Sequence, residues 1–254
     1  MAGMTGESSL LPISGAAWKG VGYGCTTRRG GVSTGEWGAL NLGSHVGDDP
    51  EAVRENRRRL SVGLPGRPYW LEQVHGIDVV EVTATQNRYE TPRADAAVTT
   101  CPGVVLAIMT ADCLPVVIAD IDGQAVGVAH AGWRGLAGGV LEACFEALLR
   151  RVPHARGWRA WVGPCIGQAN FEVGDEVRQA FVERDATTAA RFVAGKRAGK
   201  WQADLGGLAR HRLEIVGVQS VEIAGLCTYE RDDLFFSYRR SPVCGRMGTL
   251  AWLE

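Results

Sequence analysis

The stretch TADCLPVVIADIDGQAVGVAHAGWRG, Thr110 to Gly135, constrains the fold more than any other part of the chain. Two apolar runs, Leu114 to Ala119 and Ala125 to His130, flank Ile121-Asp122-Gly123-Gln124. Asp-Gly accepts the positive φ angles of a type I′ turn, so the spacing predicts an antiparallel hairpin in which residue 121 pairs with 124. Stepping outward from that pair sets His130 opposite Pro115. Cys113 then lies two residues farther along, on the same face as His130. Such diagonal neighbours stand roughly 7 to 8 Å apart at Cα, near enough for their side chains to converge. A thiolate at ~2.3 Å and an imidazole at ~2.1 Å from one ion would bridge that gap. The pattern therefore places a cysteine and a histidine where they can share a metal. A small buried hydrophobe beside a structural histidine is an equally weighted alternative. His75, closing WLEQVHG, is a candidate third ligand, but pattern alone does not bring it to the other two.

The turn His130 to Gly135 has a second reading. Glycines between a strand and a helix leave backbone N–H groups free at the helix start, where an anion is favoured. Arg134 would add a bidentate contact to a phosphate or carboxylate. A turn that serves only tight strand–helix packing has similar weight. The dinucleotide glycine fingerprint and the P-loop pattern are both absent, which argues against ordinary dinucleotide or nucleoside triphosphate binding.

Around the hairpin, Asp48 to Leu60 has the Asp-Pro start and acidic first turn of a helix. Trp70 to His75, Asp78 to Val82, Ala94 to Val98, Gly103 to Thr110, Trp158 to Val162, Val221 to Ala224, Phe235 to Tyr238 and Met247 to Leu253 read as strands. From Gly132 apolar residues recur at helical spacing, and Val173 to Val182 and Leu205 to Ile215 read as further helices. Asp185 to Lys200 is polar and reads as a mobile surface excursion. Strands and helices mixed without strict alternation predict a mixed α/β class. Residues 1–16 are expected as a flexible tail and 17–254 as one catalytic domain.

A formal net charge of −1 speaks against a dedicated nucleic-acid binder. No apolar run reaches the roughly 18 to 20 residues of a membrane helix. The longest, Val104 to Ala119, is interrupted by Asp112 and Pro115. The first sixteen residues lack the basic start and apolar core of a signal peptide. Seven cysteines without regular spacing then point to reduced thiols or a metal ligand, and to a cytoplasmic protein. No exposed apolar helix face suggests an obligate assembly, so a monomer is expected.

Taken together, TTRRGGVS (Thr26 to Ser33), LNLGSHVGDDP (Leu40 to Pro50), WLEQVHG, ADAAVTT (Ala94 to Thr100), TADCLPV, AHAGWRG, GPCIG (Gly163 to Gly167), FFSYRR (Phe235 to Arg240) and GRM (Gly245 to Met247) carry a specific resemblance. The chain resembles the YfiH family, variously labelled laccase-domain, polyphenol oxidase or purine nucleoside phosphorylase proteins, over nearly everything after residue 20. The resemblance implies one α/β domain with β-sheets packed between helices. It also implies that His75, Cys113 and His130 are the metal ligands, which supplies the third ligand. Two departures stand out: Gln168-Ala169-Asn170-Phe171 replaces a common Pro-Cys-Cys-Tyr stretch, and Ser241-Pro242-Val243 ends in Cys244 where threonine is common.

Three protein ligands with a fourth position open is the arrangement of catalytic zinc, which lowers the pKa of a bound water towards ~7. The activities that the resemblance implies are phosphorolysis of adenosine, inosine and methylthioadenosine, and deamination of adenosine. The implied partners are a purine nucleoside and phosphate, with no nucleic acid and no membrane. Arg28, Asn41, Gly132, Trp133 and Arg134 are the expected substrate or phosphate contacts. Cys113, Asp112 and Arg134 are the expected catalytic groups, with Asp112 either a proton carrier or a structural hydrogen bonder. A copper-dependent phenol oxidase competes, because two histidines and a cysteine also suit copper. Five histidines without a His-x-His pair fall short of a multicopper centre, so copper would substitute at the same site. A cysteine hydrolase using Cys113 and His130, and a metal that merely fixes the fold, are the remaining readings.

Overall fold

The structure is a computed structural model that describes residues 10–85 and 91–254. In chain order its elements are β1 (Val21–Cys25), α1 (Pro50–Ser61), β2 (Pro68–Tyr69), β3 (Val79–Glu81), β4 (Ala96–Thr99), β5 (Val105–Thr110), β6 (Leu114–Asp120) and β7 (Val126–Ala131). There follow α2 (Trp133–Gly138), α3 (Val140–Arg151), β8 (Trp158–Val162), β9 (Glu172–Gly174), α4 (Asp175–Val182), β10 (Phe192–Ala194), β11 (Lys200–Ala203), α5 (Leu205–Ile215), β12 (Ser220–Ile223) and β13 (Met247–Leu253). Strands join as a six-stranded sheet β12-β8-β6-β7-β4-β3, a four-stranded sheet β1-β13-β5-β2 and a three-stranded sheet β10-β11-β9.

Alternation along β6 explains the layering. Leu114, Val116 and Ile118 face α2, α3 and α5 in one core cluster, together with Leu136, Leu141 and Leu208. Val117 and Ala119 point the other way and pack on the four-stranded sheet through Leu106, Ile108, Met247 and Ala251. Beyond that sheet Val105, Ala107 and Leu250 meet Leu60 of α1. The order is thus helices, sheet, sheet, helix: a mixed α/β domain with its sheets between helices. All seven residues of β6 are buried, so both faces of the strand are apolar and the sequence reads as one continuous run.

The hairpin register matches the expectation: Pro115 pairs with His130 and Leu114 with Ala131. The turn itself differs. Only Gly123 has a positive φ, at 74°. The buried Asp120 carboxylate accepts N–H groups from Asp122, Gln124 and Ala125 at 2.6 to 2.9 Å. The connection is therefore a longer loop wound around a side chain, not a two-residue type I′ turn. The register survives because the extra residues fall equally on both sides.

Other expectations also shift. The helix after Gly132 breaks at Gly139, whose φ of 109° suits glycine alone and separates α2 from α3. Residues 70–75 form no strand beyond an isolated bridge between Glu72 and Arg93. Phe235 to Tyr238 is not a strand either, since its N–H groups turn to Arg231 and to the Met247 sulfur. The polar stretch 185–200 is ordered into a 3-10 turn and β10, which with β11 and β9 makes the small sheet. Of the tail expected over residues 1–16, residues 1–9 lie outside the described residues. The rest is held down: Ile13 bridges Cys25, and Ala16 donates its N–H to Glu222 at 3.0 Å. Among the described residues no helix is long and apolar enough to cross a membrane.

Candidate metal centre

Three residues, Ala111 to Cys113, carry the chain from β5 in one sheet to β6 in the other. Asp112 takes φ 92° there, rare for a non-glycine residue. Its carboxylate holds the strained turn: Oδ1 accepts Thr228 Oγ1 at 2.6 Å, and Oδ2 accepts Ser237 Oγ at 3.0 Å and Arg239 N at 2.7 Å. With three donors on it, this carboxylate orients Cys113 and its neighbours. Asp112 also lines the cavity beside the group.

His130 is buried in β7, on the face turned towards the four-stranded sheet. Its Nδ1 lies 2.7 Å from Asp95 Oδ1. An ionised carboxylate only accepts, so Nδ1 carries the proton and Nε2 is left for another partner. The same Asp95 also accepts the backbone N–H groups of Val74, His75 and Gly76 at 3.1, 3.0 and 2.7 Å. Those bonds replace the strand expected at residues 70–75 and hold His75 at φ 60°. One buried carboxylate thereby sets two imidazoles.

The His75 and His130 rings meet edge to face with centroids 4.8 Å apart. Cys113 Sγ is 3.8 Å from His75 Nε2, and the ligand atoms of His75, Cys113 and His130 all lie within 4.8 Å of one another. Tetrahedral zinc bound at the usual lengths would separate sulfur from nitrogen by roughly 3.6 Å. A Cβ on Gly132 would sit 2.5 Å from His75 Cδ2 and 3.2 Å from Cys113 Sγ, so the glycine is what leaves the cradle open. Burial alone would raise the Cys113 thiol, but hydrogen bonds with His130 and then His75 outweigh it and bring it down to about 6. Burial would likewise lower His130, yet Asp95 and then Cys113 lift it to about 9. A thiolate beside two imidazoles is a donor set that fits a soft or borderline divalent ion. Among the described residues this is the one such group of three.

The group opens onto a cavity of roughly 280 Å³ whose walls include Gln73, Met109, Ile166, Phe171 and Tyr238. Arg239 and Arg246 add a basic side, with His45 beside them. Arg239 donates both terminal nitrogens to Glu172 O and lies over the Phe171 ring at 5.4 Å. Arg246 is fixed through Nη1 on the carbonyls of Cys244 and Gly245. Burial first, then Arg246 and Arg57, lower the pKa of His45, so its ring is neutral at pH 7.

The expected phosphate contacts fall elsewhere. Arg28 donates to the carbonyls of Gly38 and Asp232 and covers Phe236. Arg134 is exposed and stacks on Trp133 at 4.4 Å. None of Arg28, Trp133 and Arg134 lines the cavity. Asn41 is buried beneath it, where its Oδ1 accepts Gly43 N and Arg246 N, both at 2.9 Å. Gly132 opens only a six-residue helix, and its role is the close approach to His75. Sequence reasoning missed Asp95, Arg239 and Arg246. A fully buried aspartate at the head of the apolar strand β4 was the available signal, because such a group must find donors.

Residues 22–254 match the family described as multi-copper polyphenol oxidoreductase laccase. The chain belongs to this family. Its relatives include proteins named purine nucleoside phosphorylase from Pseudomonas aeruginosa, 50% identical over 90% of this chain and 92% of that one. Another is Escherichia coli YfiH, also named purine nucleoside phosphorylase, 47% identical over 92% and 95%. A solved structure from Neisseria meningitidis superposes with a TM-score of 0.84 at 46% identity, covering 92% and 95% of the two chains. Geobacillus stearothermophilus YlmD gives 0.84 at 31% identity, covering 97% and 100%. Like the family's name, a His-Cys-His group points to a metal site, among the described residues to a single one.

Proposed function

We propose that the protein is a cytoplasmic, zinc-dependent purine nucleoside phosphorylase that cleaves adenosine, inosine and methylthioadenosine, and that the same site deaminates adenosine. The observation that carries this reading is the juxtaposition of a His-Cys-His group with an apolar cavity whose other side is basic. The names of the relatives at 47 to 50% identity supply the substrate class.

In phosphorolysis an oxygen of phosphate forms a bond to C1′ of the sugar while the bond from C1′ to the purine nitrogen breaks. Arg246 and Arg239, with His45 beside them, are the groups that would hold the phosphate dianion, in place of Arg28 and Arg134. Phe171, Ile166 and Tyr238 offer the apolar surface for the base. Asp95 keeps His130 in the tautomer that presents Nε2. His75, Cys113 and His130 would hold the ion, which would act as a Lewis acid towards the substrate or a water.

A second reading has its own support. The lowered Cys113 thiol beside His130 is also the pairing of a cysteine hydrolase. Metal analysis of the purified protein with a product assay separates the readings. The protein is incubated with adenosine and phosphate, and adenine, inosine and hypoxanthine are resolved by chromatography, with His75→Ala alongside. About one zinc per chain, with products that vanish in the variant, supports the proposal. Activity that survives chelation but not alkylation of Cys113 replaces it with the hydrolase. Oxidation of phenols by copper-loaded protein, with no purine product, moves the site to copper chemistry.

A further inference from the structure

All seven cysteines are free, and two of them face each other away from the candidate metal group. Cys165 and Cys227 are partners in an isolated parallel bridge. Cys165 N donates to Leu226 O at 3.3 Å, and Thr228 N donates to Cys165 O at 3.0 Å. Strands paired in this way stand roughly 4.8 Å apart. That falls within the roughly 4.4 to 6.8 Å between Cα atoms found in disulfides. Both residues are partly exposed and line a second cavity of about 220 Å³ with Arg191 and Arg210, so a small solute can reach them.

The two sulfurs have different surroundings. Cys227 Sγ accepts the Gly167 N–H at 3.2 Å and lies 3.6 Å from Asn170 Nδ2, a second donor. A Cβ on Gly167 would come within 3.2 Å of that sulfur, so the glycine is what lets its amide approach. Two N–H donors are thus aimed at the Cys227 sulfur, on the wall of the cavity. Among the described residues no hydrogen-bond donor is aimed at the Cys165 sulfur. Burial foremost, and then Cys227, push its thiol up to about 12.

We propose that Cys165 and Cys227 form a peroxide-reactive dithiol, in which Cys227 is oxidised first and Cys165 closes the disulfide. The Cys227 sulfur attacks one oxygen of hydrogen peroxide; the O–O bond breaks, an S–OH group forms and one water leaves. The Cys165 sulfur then attacks the Cys227 sulfur, the S–O bond breaks, and the second water carries away the Cys165 proton. The two sulfurs together lose two electrons, and one peroxide becomes two waters. The cross-link reaches the candidate metal group through the backbone. Ile166 N donates to Asp112 O at 3.0 Å and Thr228 Oγ1 to Asp112 Oδ1 at 2.6 Å. Both cysteines are therefore one residue from a group that grips the residue before Cys113.

The test treats the whole protein with hydrogen peroxide, blocks remaining thiols with N-ethylmaleimide and maps the digest by mass spectrometry. The expected result is a Cys165–Cys227 linked peptide that dithiothreitol removes. In Cys165→Ser the sulfenic acid is trapped on Cys227 by dimedone. In Cys227→Ser no linked peptide forms and Cys165 stays open to alkylation. Asn170→Ala keeps both thiols and slows the loss of the Cys227 thiol several-fold. The proposal is overturned if both cysteines are still alkylated when Cys101 has already been oxidised. Sulfinic acid on Cys227 without any linked peptide overturns it equally.

Discussion

His130 sits inside a strand, buried, with its ring fixed by a carboxylate and its neighbours fixed by the register of a six-stranded sheet. His75 lies in an irregular segment, exposed, with its backbone held by that same carboxylate and its ring free of any comparable support. Both reach the Cys113 sulfur. The difference is that one imidazole is placed by secondary structure and the other by a single buried side chain standing in for a strand. The first therefore belongs to the stability of the fold, and the second belongs almost wholly to the site.

Breaking the common support gives the largest expected effect. Asp95→Ala strips His130 of its partner and releases three N–H groups, so stability should fall by about 3 to 5 kcal/mol in chemical denaturation. Metal affinity of whatever folds should drop by at least ~10- to 100-fold in a titration against a chelating dye. If stability is unchanged, Asp95 does not link the two regions. His130→Ala comes next: it leaves Asp95 Oδ1 with only the His75 N–H, which costs about 1 to 3 kcal/mol, and it removes stoichiometric metal. Gly132→Ala drives a Cβ into His75 and Cys113. It should cost about 1 to 3 kcal/mol or displace the His75 ring, with metal content falling in either case. His75→Ala should also lose metal, yet shift the denaturation midpoint by no more than about 0.5 kcal/mol. Equal stability losses in His75→Ala and His130→Ala would erase the contrast between strand and loop.

The smallest effect is a titration. In metal-free protein the Cys113 thiol is brought down to about 6, mainly by His130 and less by His75. Its thiolate absorbance should therefore appear near pH 6, well below an ordinary thiol, and move upward in both histidine variants, farther for His130→Ala. The sign follows from the partners: each removes a hydrogen bond that favours the charged sulfur.

The same contrast decides what could be read from the sequence. Cys113 and His130 were legible as a pair because a strand has a period of two and Asp122-Gly123 locates the turn. Even there the register was recoverable and the turn type was not, since the Asp120 carboxylate, not the dipeptide, organises the loop. His75 needed a family resemblance, because nothing local says that residues 70–75 give up strand pairing for the Asp95 side chain. Asp95 itself faces His130 only through the pairing of β4 with β7, two strands separated by β5 and β6. The basic side of the cavity was hidden for a related reason. Arg28 and Arg134 sit in conspicuous glycine-rich blocks, but neither side chain lines the cavity. Arg239 and Arg246 reach the cavity from the irregular stretch after Phe235 and from the head of β13, where no periodicity guides a reader.

The link of three residues between β5 and β6 has a consequence for variation far from the cavity. It crosses from one sheet to the other and carries the sulfur where it joins β6, so a change in the spacing between sheets reaches Cys113 through Ala111 and Asp112. Substitutions such as Ile108→Val or Val117→Ala, buried where the two sheets meet, would act as a vernier on the thiol, shifting it against two imidazoles anchored to a single sheet by Asp95.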